Sequence, residues 1–83
     1  MEKILIEVFV PVSGKTYDFF VSEEMKLYEI KASVCKMITE LSFGVFIADD
    51  NSLLCYRENG LILNINLSAR ELELENGSGL MLI

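Results

Sequence analysis

Only one stretch of this chain repeats its apolar residues at helical spacing. Leu27, Ile30, Val34, Met37, Ile38 and Leu41 lie three and four apart, so they form one stripe. Before it, Ile4, Ile6, Val8 and Val10 recur at period two, with Lys3, Leu5, Glu7 and Phe9 between them. That alternation is the signature of a strand with one apolar face. One amphipathic helix among alternating segments buries its stripe against a sheet. The pattern therefore predicts an α+β fold with one helix packed against strands.

Turn chemistry divides the rest. Pro11-Val12-Ser13-Gly14-Lys15 reads as a hairpin turn, with Gly14 free to take the positive φ it needs. Thr16 to Val21 is the return strand, with Tyr17, Phe19 and Val21 on one face and Asp18 and Phe20 on the other. Ser22-Glu23-Glu24 sets acid ahead of the helix, and Lys31 and Lys36 lie further along it, as the helix dipole favours. Gly44 is the expected helix stop. Val45 to Ala48 and Ser52 to Tyr56 are expected strands around an Asp49-Asp50-Asn51 turn. Arg57-Glu58-Asn59-Gly60 is a second hairpin signal, leading to a short strand, Leu61 to Leu63. Ser68 to Leu72 is expected to cap and form a single helical turn. Asn76-Gly77 then turns the chain into a last strand ending at Leu80-Met81-Leu82-Ile83.

The 83 residues imply one domain, 1–83, without linker, repeat or low-complexity stretch. Hydrophobic residues make up 52 % of them, enough for one continuous core. The net charge of −6 disfavours nucleic acid and anionic membrane surfaces, both of which select a basic face. No run approaches the length of a membrane-spanning helix, and the start lacks a signal-peptide pattern. A cytoplasmic protein is expected. Cys35 and Cys55 are too few for a disulfide framework and are expected to be reduced, half-buried thiols.

The chain has no histidine, which removes His-dependent nucleophile systems and histidine metal sites together. Cys35 lies beside the apolar stripe and next to Lys36, but a packing role outweighs a reactive one. Asp49-Asp50-Asn51 lacks the spacing of a calcium loop. Gly77-Ser78-Gly79 opens no helix and carries no lysine, so it is a turn and no phosphate cradle. Glu71, Glu73 and Glu75 alternate with Leu72 and Leu74, as a solvated face beside a buried one does. No catalytic residue, cofactor or metal site is expected, and the chain reads as non-enzymatic.

The element order, two strands, a helix, further strands and a short turn before the last strand, resembles that of ubiquitin. Ser13-Gly14-Lys15-Thr16 followed by the alternating Tyr17 to Val21 resembles ubiquitin's first hairpin, and Ser68, Leu72, Leu74, Leu80 and Leu82 resemble its closing pattern. The resemblance implies a β-grasp, a mixed sheet wrapped around one central helix. The chain is similar in particular to the small bacterial ubiquitin-like proteins of the YukD/EsaB type, which accompany type VII secretion systems. Their size, the Asn76-Gly77 turn and an ending without Gly-Gly carry that similarity. It implies a cytosolic accessory or regulatory factor that binds protein and is not conjugated. The alternatives are a self-associating scaffold subunit and, further off, a carrier or modifier whose tail is missing from this chain.

On this reading Leu5, Phe9, Phe20, Phe46 and Met81 point away from the helix. Apolar residues gathered on one exposed sheet face tend to mark a binding site. These five are the expected protein-interaction patch, with the acidic surface steering a basic partner.

Overall fold

The computed structural model describes residues 3–42 and 51–83. Strand β1, Lys3–Val10, and strand β2, Lys15–Ser22, form an antiparallel hairpin. Gly14 closes it with φ of 70°, in the left-handed region where a side chain is strained. Helix α1 spans Leu27–Leu41. Strand β3, Leu54–Tyr56, and strand β4, Ser78–Leu82, complete a four-stranded sheet of order β2-β1-β4-β3. The two central strands, β1 and β4, run parallel, and both outer pairs are antiparallel. The sheet is thus mixed, as the resemblance implies.

Register explains the core. Ile6, Val8 and Val10 of β1, Phe19 and Val21 of β2, Leu54 of β3, and Leu80 and Leu82 of β4 all face the helix. They meet Leu27, Ile30, Val34, Cys35 and Ile38 from α1. Fully burying a side chain of this size contributes about 1.5–3 kcal/mol, so this layer is the main source of stability.

The helical stripe is narrower than expected. Met37 and Leu41 are 45 % and 52 % exposed. Each residue advances about 100° around a helix. On that wheel Met37 falls outside the arc from Ile30 to Cys35, and Cys35 takes the buried edge instead. Leu41 is the last helical residue. Neither cysteine forms a disulfide, and both are buried, where half-burial was expected. No basic residue occupies the last helical turn, because Lys31 and Lys36 stop short of it.

The helix N-terminus is held by the segment that precedes β4. Leu27 and Tyr28 N–H groups donate to the carbonyls of Leu67 and Ile65 at 2.8 and 3.1 Å. These are donors a helix cannot satisfy within itself. Ala69 N–H donates to Met25 O, and Arg70 N–H to Glu23 O. Arg70 also pairs with Glu23 and Glu24, and Lys26 with Glu71. Glu29 Oε1 accepts from the Lys26 N–H at 3.0 Å. The acids ahead of the helix therefore act mainly as ion-pair partners for Arg70.

Ser68 does cap a single turn. Its Oγ accepts from Glu71 N–H, Glu71 Oε1 accepts from Ser68 N–H, and Leu72 N–H reaches back to Ser68 O. That is a reciprocal capping box. Glu71, Glu73 and Glu75 are all exposed and Leu72 between them is half-buried, as the alternation predicts, although Glu71 is also a cap and Glu73 has φ of 58°. Leu74 is still buried.

The other differences lie around β3. The strand expected over Ser52 to Tyr56 is shorter, Leu54–Tyr56. Leu61 to Leu63 forms a single bridge, Cys55 with Ile62, flanked by Tyr56 N–H to Leu61 O and Leu63 N–H to Leu54 O. The expectations for Gly44, Val45 to Ala48 and Asp49-Asp50 fall outside the described residues.

Candidate functional site

The sheet has a second face, turned away from α1. Because strand partners share a face, the register arranges its side chains in rows. One row is Leu5 beside Phe20. The next is Asp18 beside Glu7, followed by Gly79. A third runs from Thr16 through Phe9 and Met81 to Cys55 and Ile62, crossing all four strands.

Four of the five expected patch residues thus share the outer face. Phe20 is 73 % exposed, and Leu5, Phe9 and Met81 are half-buried. They form two apolar groups, Leu5 with Phe20 and Phe9 with Met81. The row of Glu7 and Asp18 runs between those groups on β1 and β2. Phe46 lies outside the described residues.

Sequence pattern missed three contributors. Ile62, 61 % exposed, extends the long row beyond β3. Cys55 occupies the same row with no exposed surface, and its thiol donates to Met81 O at 3.5 Å. Burial pushes the Cys55 thiol pKa up, away from the nucleophilic thiolate. Arg57 crosses β4 over Gly79, where a Cβ would lie 3.7 Å from Arg57 Cβ. Its guanidinium stands 4.3 Å from the centre of the Phe9 ring, a cation–π contact. The signals for Ile62 and Arg57 were present, since Asn59-Gly60 marks the turn that brings the 61–63 stretch back beside β3. The partner of that stretch was not readable.

Beside Arg57 an open cleft of 390 Å³ is lined by Tyr56, Arg57, Glu58, Ser78 and Gly79. Among the described residues no three or more Asp, Glu or Cys gather to hold a metal ion, and no buried polar side-chain atom lacks a partner. No helix among them is long and apolar enough to cross a membrane.

This geometry has counterparts among solved structures. A ubiquitin from Caldiarchaeum subterraneum superposes with a TM-score of 0.78 at 19 % identity, covering 99 % of this chain and 92 % of that one. The fold is a ubiquitin-like β-grasp. The EccD5 ubiquitin-like domain of Mycobacterium xenopi matches this β-grasp with a TM-score of 0.82 at 17 % identity, over 100 % of this chain and 94 % of that one. A chain of the MycP5-free ESX-5 inner membrane complex gives 0.82 at 13 % identity, covering 100 % of this chain and 21 % of the other. At such identities the likeness is one of fold. No family model and no curated protein matches the chain.

Proposed function

We propose that this β-grasp is a non-enzymatic protein–protein interaction module, acting in the cytoplasm as an accessory or regulatory factor of a type VII secretion system. The observation that carries the reading is the full-length likeness to the EccD5 domain, which belongs to such a system. The chain of the ESX-5 inner membrane complex points the same way. The outer sheet face supplies the contact surface, through Leu5, Phe9, Phe20 and Met81 together with Ile62. Apolar side chains on a sheet face, rimmed by charge, are what a protein partner's surface can cover. Phe46 belongs to the proposed patch on its sequence pattern.

The test is an affinity purification from native cells, with wild type beside a Phe20→Asp/Ile62→Asp variant. Both positions are exposed, so the variant keeps its core, and circular dichroism checks this. Co-purification of secretion-system membrane or ATPase components with wild type, and their loss from the variant, is the expected result. Equal recovery from both moves the contact off this face. A secretion phenotype absent from a deletion strain, together with no such components recovered, overturns the reading. Self-association then takes its place, if sedimentation gives a multiple of the 9.4 kDa chain mass.

A further inference from the structure

Glu7 and Asp18 stand directly opposite each other on β1 and β2, on the outer face. Like charges in that relation destabilise an antiparallel pair. Among the described residues neither makes an ion pair, although the acids around the helix N-terminus do. Arg57, the nearest cation along that row, directs its guanidinium to the Phe9 ring. Next to the two carboxylates lies the Leu5–Phe20 pair, holding the most exposed aromatic ring of the described residues. The whole chain carries −6, so the long-range field has the same sign as this spot.

We propose that the partner presents a basic segment to this face. A lysine or arginine stem lies along Leu5 and Phe20, and its charge sits between Glu7 and Asp18. Long basic side chains bury their methylenes on apolar surface while the head reaches charge. One cation here relieves a repulsion present in the free protein, so the gain exceeds that of an ordinary exposed ion pair. An acidic segment would add a third negative charge to the same row. This inference rests on the interaction-module reading and names its partner chemistry.

The experiment is an amide-resolved NMR titration of the full chain with three short end-blocked peptides. All three alternate leucine with one other residue, which is lysine, glutamine or glutamate. The expected result is about tenfold tighter binding of the lysine peptide than the glutamine one, a single bridging cation's worth. Its shifts centre on Leu5 to Phe9 and Asp18 to Phe20, and in a Glu7→Gln/Asp18→Asn variant its affinity falls to that of the glutamine peptide. A Phe20→Ala variant keeps both carboxylates and weakens all peptides alike. Equal binding of the lysine and glutamine peptides at these amides overturns the basic partner and leaves the interaction surface standing. A lysine-peptide affinity undiminished in the neutralised variant, or shifts that map elsewhere, also overturn it. If no peptide moves these amides, the interaction face falls as well. Shifts that grow with protein concentration alone assign the face to a second copy and overturn the proposal.

Discussion

Ile6 and Leu5 are neighbours on β1, yet Ile6 is fully buried against the helix while Leu5 keeps part of its side chain in water. The same contrast repeats on β2 and β4, in Phe19 against Phe20 and Leu80 against Met81, but not on β3, where Leu54 and Cys55 are both buried. The inner face is apolar except at strand ends such as Lys15 and Ser78, and its buried residues meet α1. The outer face mixes apolar pairs with Glu7, Asp18 and Arg57, and among the described residues no helix covers it. The inner face therefore makes the fold, and the outer face is under no such packing constraint.

That division is open to direct attack. The largest effect belongs to the inner face. Leu80→Ala empties a fully buried position and should cost about 2–5 kcal/mol in urea denaturation. Phe20→Ala on the outer face should stay within about 0.5 kcal/mol. Comparable losses at the two positions would mean that the outer face is covered in the free protein.

The Ser68 turn, away from both faces, should come next. Ser68→Ala removes one half of the capping box and should cost about 1 kcal/mol. The Ser68 backbone N–H first, then Lys26 and the Ser68 hydroxyl, hold the Glu71 carboxyl below its usual range. A lowered carboxylate pKa means the contribution is present above the unfolded value and fades as pH falls through the folded one. Wild type should thus exceed Glu71→Gln in stability at neutral pH, and the gap should close in acid. A gap that widened in acid would contradict the cap.

Arg57→Ala should cost about 0.5–1 kcal/mol, the range of a cation–π contact near the surface, and should increase the mobility of the Phe9 ring. An unchanged Phe9 signal by NMR would show that Arg57 does not order this row. The smallest effect has the opposite sign. Glu7→Gln should stabilise the protein by a few tenths of a kcal/mol, because it removes a like-charged partner from Asp18. A loss instead would show that Glu7 already has a favourable partner.

The split between faces was readable from β1 and β2 because strands alternate strictly. Ile4, Ile6, Val8 and Val10 could only face inward together, and Leu5, Phe9 and Phe20 then had to face outward. Met81 followed from Leu80 and Leu82 in the same way. Ile62 and Cys55 were not readable as outer-face residues. A three-residue strand and a one-bridge segment carry too few alternations to declare a side. Met37 and Leu41 show the limit at the helix, where periodicity marks an apolar stripe without marking how far the sheet reaches along it.

By itself the sequence determined the order of elements, the turns at Gly14 and Asn76-Gly77, the Ser68 cap and the inward residues of the long strands. These are local properties, set by backbone freedom, hydrogen-bonding side chains and period. Only the tertiary structure decided that β1 and β4 run parallel at the centre of the sheet, that Glu7 faces Asp18, and that Arg57 crosses β4 to reach Phe9. Those contacts join residues distant in the chain through strand register. Register is chosen by the packing of the whole inner face against one helix, and no local segment encodes it.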